Sequence, residues 1–139
     1  MIKWNNLNTL SSFENLSKVE RVKLAEVMSG ENGADRVKKY TIPMAAGLSY
    51  NYAAKQVDDD VLEALTKLAE EAQLAEKFEA LYNGEVINTG EKRLVLHHMT
   101  RGQLGEAVEA DGVDKRTFYT EQQKKIADFA NKVHAGEIT

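Results

Sequence analysis

The chain has 139 residues, 42% of them hydrophobic and 29% charged, with a net charge of -4. These are the proportions of one ordinary soluble domain, which can bury a core while about a third of its unfolded surface stays exposed. The acidic balance argues against nucleic acid as the main partner, because phosphate binding needs a basic face. The absence of cysteine excludes disulfides, thiolate metal sites and a cysteine nucleophile. No uninterrupted apolar run approaches the roughly 20 residues of a membrane span, and the start Met1-Ile2-Lys3-Trp4-Asn5-Asn6 lacks the apolar core of a signal peptide. A cytoplasmic chain with no membrane partner is the expectation.

Residues 1–10 carry Trp4, Leu7 and Leu10 among asparagines, which suits a short helical turn or an arm that docks Trp4. Ser11 and Ser12 are candidate caps for a helix to about Met28, along which Leu16, Val19, Lys23, Leu24 and Val27 recur on one face. Ser29-Gly30-Glu31-Asn32-Gly33 should end it, and a short basic helical turn is predicted over 34–40. Tyr40-Thr41-Ile42-Pro43-Met44 reads as an edge strand, the place in a sheet where a proline is tolerated. With the turn Ala45-Ala46-Gly47 and the alternating, half-buried strand Leu48–Ala53 it predicts a hairpin.

Asp58-Asp59-Asp60 place three acids where a helix begins, opposing the positive end of its dipole. The stripe of that helix is Val61, Leu62, Leu65, Leu68, Ala69 and Ala72, with Glu70-Glu71 on the wet side. Gln73–Tyr82 predicts a second helix or a bent continuation, closed at Gly84. Asn88 and Glu91 have the spacing of a capping box, so a central helix is predicted from there through Leu94-Val95-Leu96, His97, His98, Met99 and Arg101. Gly102, Gly105, Asp111 and Gly112 break any period, so 102–116 reads as a loop with a short helical turn at Leu104–Val108. A last helix is predicted from Phe118, with Ile126, Phe129, Ala130 and Val133 on one side and Gln122, Lys125, Asp128 and Lys132 on the other. Gly136 should cap it. The expected fold class is α+β, a single predominantly α-helical domain over 1–139 with a small β-hairpin.

The order Asn83-Gly84-Glu85, Ile87-Asn88-Thr89, Glu91, Arg93, Val95-Leu96-His97 and Arg101 resembles the N-terminal signature of the glucose-6-phosphate isomerase family, F-N-G-E-x-I-N-x-T-E-x-R-A-V-L-H-x-A-L-R. It departs at Gly90, where threonine is usual, at Leu94, where alanine is, and at Met99-Thr100, where Ala-Leu is, departures that suggest a divergent branch, with Leu94 in place of alanine implying a locally altered core. The family's hairpin ends in Asp-Tyr-Ser-Lys-Asn, of which Asn51-Tyr52-Ala53-Ala54-Lys55 keeps only the tyrosine in place. His134-Ala135-Gly136-Glu137-Ile138 is similar to the family's V-H-S-G-E-I, met just before its first sugar-binding domain.

The residues themselves carry little chemistry. His97 and His98 are neighbours, pointing about 100 degrees apart on a helix, so one should be buried and one exposed rather than both facing a metal ion. His134 has no spacing relation to them, and no ligand pattern of the H-E-x-x-H kind exists. Asp58-Asp59-Asp60 lacks the glycine and distal glutamate of a calcium loop. The nine glycines form no phosphate cradle, and Gly90 at a helix start is too little for one. Lys38-Lys39 and Lys124-Lys125 read as solvated faces, and Arg93 and Arg101, two turns apart, would share one side of the central helix, with Arg93 held by a carboxylate such as Glu85 in a structural ion pair rather than serving as a phosphate clamp. The expectation is no catalytic residue, no cofactor-binding residue and no metal.

The resemblance implies an aldose-ketose isomerase that interconverts glucose 6-phosphate and fructose 6-phosphate through an enediol, with a glutamate base, a histidine and a lysine. None of these maps onto residues 1–139. It further implies that this is the N-terminal segment of a SIS-type α/β sugar isomerase whose sugar-binding domains lie downstream, structural and inactive by itself. The partners implied are the remainder of the isomerase chain and, in the full enzyme only, a sugar phosphate, with a homodimer left open. The rival reading is a stand-alone helical module that binds another protein.

Overall fold

The computed structural model describes residues 1–102 and 105–138. Helices dominate, with two small two-stranded antiparallel sheets, so the chain is α+β. It forms two compact units, the first essentially Lys3–Leu74 and the second essentially Ala75–Thr139.

In the first unit, Asp58 starts helix α4 (Asp59–Glu71) as its sequence position predicts, accepting a hydrogen bond from the Val61 amide at 2.9 Å. Val61 then turns inward and is fully buried. Helix α1 (Ser11–Lys18) packs on α4 and is capped differently from the expectation. Ser11 and Ser12 lie inside its first turn, and the free amides go to Glu71, which accepts from Ser12 N at 2.8 Å, from Ser11 N at 3.3 Å and from the Ser12 hydroxyl. Glu71 is exposed, on the wet side as expected, and is also the anion at the positive end of α1.

The single helix expected to run to Met28 is broken. Helix α1 stops at Lys18, Val19 and Lys23 are extended, and a single helical turn, α2, covers Leu24–Val27. The β-branched Val19 and Val22 sit in the gap, where their stiffness favours extended backbone. Helix α3 (Glu31–Lys39) is longer than the predicted turn because Gly30, at φ +66°, ends the preceding segment inside the glycine-rich stretch instead of after it.

Strands β1 (Thr41–Pro43) and β2 (Ser49–Asn51) form the expected hairpin, with Ile42 opposite Tyr50. Its second strand is not half-buried: Leu48 is 64% exposed and Tyr50 48%. The segment after the hairpin is held by Arg36, a buried side chain whose Nε donates to Ala53 O at 2.9 Å and whose Nη2 donates to Lys55 O and Val57 O at 3.0 and 2.6 Å. Its guanidinium lies 4.5 Å from the centre of the Tyr40 ring.

The Glu71 cap has a pH dependence with a definite sign. The Ser12 hydroxyl first, then the Ser12 amide, hold its carboxyl below the ordinary glutamate value. A carboxylate so depressed adds stability that is present above its unfolded pKa and lost as pH falls through the folded one. The amides of Ser11 and Ser12 are therefore expected to lose hydrogen-exchange protection as pH drops below about 4.3. Glu71→Gln is expected to lower that protection at neutral pH and to flatten its pH dependence, and an unchanged profile in the variant would contradict the capping role.

In the second unit, helix α5 (Leu74–Tyr82) ends as the sequence predicts. Gly84 adopts φ +71°, Glu85 N donates to Ala80 O at 2.9 Å and Gly84 N to Leu81 O at 3.2 Å, the paired bonds of a Schellman motif. The predicted central helix from Asn88 to Arg101 does not form. Asn88 Oδ1 does accept from Glu91 N at 3.2 Å, but Asn88 and Arg93 then exchange backbone hydrogen bonds at 3.3 and 3.2 Å, folding the chain back on itself. An asparagine side chain offers the backbone this local alternative to a helix, and Gly90 inside the turn has a poor helix propensity. Only His97–Thr100 is helical, as a single 3-10 turn.

The core of this unit is Leu96, Met99 and Val108, with Leu94 and Tyr119 packed against it. Leu94 and Met99 are two of the positions where the signature usually has alanine, so these two departures from it meet in one apolar cluster.

The expected loop over 102–116 contains a second hairpin, β3 (Glu109–Ala110) and β4 (Val113–Asp114). Asp111 and Gly112 join them at φ +55° and +72°, the paired positive values of a type I′ turn. Of the helical turn predicted at Leu104–Val108, Leu104 lies outside the described residues and 105–108 are not helical. Asp114 accepts from Arg116 N at 3.0 Å and Thr117 N at 3.4 Å, so helix α6 (Lys115–His134) starts three residues before Phe118. Gly136, at φ +74°, closes it as expected. Arg116 is buried and ties the unit together, its Nη2 donating to Tyr82 O at 2.7 Å and its Nε to Glu106 O.

Candidate functional site

The side chains with most chemical potential, His97, His98 and Arg101, sit on and just after the 3-10 turn, whose tight period spreads them around one end of the second unit. Together with Val95 and Gly102 they face Phe78, Leu81 and Tyr82 of α5 across a cleft of about 320 Å³. Tyr82 lies against the His98 ring with centroids 4.6 Å apart at 32°, and Phe78 continues the aromatic wall 5.1 Å from Tyr82.

His97 is exposed and His98 half-buried, where the expectation is one exposed and one buried, and they sit on a 3-10 turn and not an α-helix. Both ring nitrogens of His98 are shielded from solvent and find no hydrogen-bond partner among the described residues. The cleft thus offers imidazole, guanidinium and aromatic faces, and none of its lining residues is Asp or Glu. A glutamate base of the kind the resemblance implies has no counterpart in that lining.

The other residues singled out from the sequence fall elsewhere. Arg93 does not pair with Glu85; its Nε lies 3.7 Å from Glu91, with both side chains exposed, an ion pair that contributes little. The reason is the turn at 88–93, which brings Glu91 beside it, and since no helix runs from there to Arg101 the two arginines share no helix face. Asp58 caps α4, and Asp59 pairs with Lys39 at 2.5 Å and accepts from the Tyr40 hydroxyl at 3.2 Å. The Lys39 hydrogen bond holds Asp59 below the ordinary carboxylate range, and Lys39 is raised in turn.

Lys38 reaches Asp35 at 3.5 Å, and Lys124-Lys125 and His134 are exposed on α6. Among the described residues no group of three or more His, Asp or Glu could hold a metal ion, and no helix is long and apolar enough to cross a membrane.

Sequence reasoning missed Glu71, Arg36 and Arg116, whose partners are brought to them by tertiary structure. It also missed Asp114, which an Asp-Gly turn followed by V-D-x-x-T would have marked as a cap.

The family model described as phosphoglucose isomerase matches residues 51–139. Over 99% of its length the chain is 48% identical to a glucose-6-phosphate isomerase of Treponema denticola, and 39% identical to those of Treponema pallidum and Borreliella afzelii. It spans 26–27% of the length of these relatives. With a signature carried from Asn83 to Arg101 and a family match over most of its residues, the chain belongs to the phosphoglucose isomerase family.

Proposed function

We propose that this chain is the N-terminal portion of a glucose-6-phosphate isomerase and works as support for a reaction centre that it does not contain. On this reading the remainder of the isomerase chain is its partner and supplies the glutamate base, the histidine and the lysine. The sugar phosphate binds only in the assembled enzyme, a SIS-type α/β isomerase of the cytoplasm. A cysteine-free chain has no disulfide that would call for an oxidising compartment. The observation that carries the reading is the coverage: 99% of the chain matches 27% of an isomerase at 48% identity. The match along the whole chain disfavours the rival, a free-standing interaction module.

A coupled assay tests it. Purified from a host whose own isomerase gene is deleted, the 139-residue chain is expected to convert fructose 6-phosphate no faster than the protein-free blank, and sustained conversion overturns the proposal.

A further inference from the structure

Helix α6 is seated on its unit through its first half. Asp114 caps it, Arg116 is buried beneath it, Tyr119 packs on the core cluster, and Gln123 Nε2 donates to Thr100 O at 2.6 Å. Beyond Gln123 no residue of the helix is buried, and Ala130 alone is half-buried. Yet the apolar residues there keep helical spacing: Ile126 is 68% exposed, Phe129 59% and Val133 43%. Helices of this kind draw most of their stability from packing an apolar stripe, so a two-turn stripe left in water is a face without its cover.

We infer that the Ile126, Phe129 and Val133 stripe of α6 is the docking face for the part of the isomerase chain that has no counterpart in these 139 residues. The inference rests on the function proposed above. About three-quarters of the length of the relatives is available to supply the cover. A second copy is the weaker occupant. Three partly exposed side chains on each of two copies fall well short of the roughly 1,200 Å² that stable association of separate chains needs. A covalently continuous segment needs far less area, since its effective concentration is already high.

A chimera tests the face. In it, this chain replaces the matching segment of the Treponema denticola relative, and it is expressed in a host lacking isomerase. The unsubstituted chimera is expected to be soluble and active. Ile126→Glu/Phe129→Glu is expected to cut its soluble activity at least tenfold while leaving the helical circular dichroism of the 139-residue chain unchanged, and Lys125→Glu on the flank is expected to keep activity within twofold. A doubly substituted chimera as soluble and active as its parent would overturn the assignment. So would a 139-residue dimer that the double substitution makes monomeric without affecting the chimera, which would assign the face to a second copy. An unsubstituted chimera that folds but is inactive would instead sink the reading on which the inference rests.

Discussion

Gly84→Ala is expected to destabilise the second unit by about 4 kcal/mol, the sum of two independent costs. Holding an alanine at the φ of +71° that closes α5 costs about 1–2 kcal/mol. The added Cβ would also stand 2.2 Å from Val108 Cγ1. Val108 is buried in the core cluster and its branched side chain has little rotamer freedom, so the contact must be relieved by moving packed atoms, at about 1–3 kcal/mol. Denaturant titration reads this as a lowered midpoint at unchanged slope. Adding Val108→Ala to Gly84→Ala should remove the steric part, so that the two substitutions together cost less than the sum of each alone. Strict additivity would show that the glycine is needed for its backbone angle alone.

Met99→Ala is expected to cost about 3 kcal/mol, within the range for emptying a buried methionine site. Met99 is fully buried between Leu96 and Val108, in a cluster to which Leu94 also adds. Alanine is the usual residue at that position of the resembled signature, so the substitution restores the common residue and is nonetheless expected to destabilise. Its neighbours here are arranged around the larger side chain, and truncation leaves a void that a close-packed interior fills only in part. A loss below about 1 kcal/mol would mean that the cluster collapses onto the gap.

The features legible in the sequence were those whose cause is local. Asp58 before an apolar stripe, Gly84 and Gly136 after the last periodic residue, and the proline-bearing hairpin all carry their explanation within a few residues, and all are found. The signature from Asn83 to Arg101 led to the family, while the capping spacing and apolar run within the same stretch pointed to a helix that does not form. The capping pair Asn88 and Glu91 does hydrogen-bond, yet the local bond closes a turn, because the helix it could have started would have to propagate through Gly90.

Where the partner is distant, the sequence is silent. Nothing near Glu71 says that it will meet the amides of Ser11 and Ser12, and nothing near Arg36 names the carbonyls of Ala53, Lys55 and Val57. The stripe on α6 was readable as apolar, but whether it would be covered depends on what packs there. The cleft beside His98 was unreadable for a related reason, since Tyr82 reaches the imidazole only once the turn at 88–93 has doubled the chain back.

The claim that everything else depends on is that these 139 residues carry no reaction centre, and steady-state turnover of fructose 6-phosphate by the isolated chain tests it most directly. The expected result is a rate that does not rise with protein concentration and is the same for the His97→Ala, His98→Ala and Arg101→Ala variants. A rate proportional to the chain, saturable in substrate, abolished by heating and lowered by any of those three substitutions would place isomerase chemistry in the cleft and contradict the account.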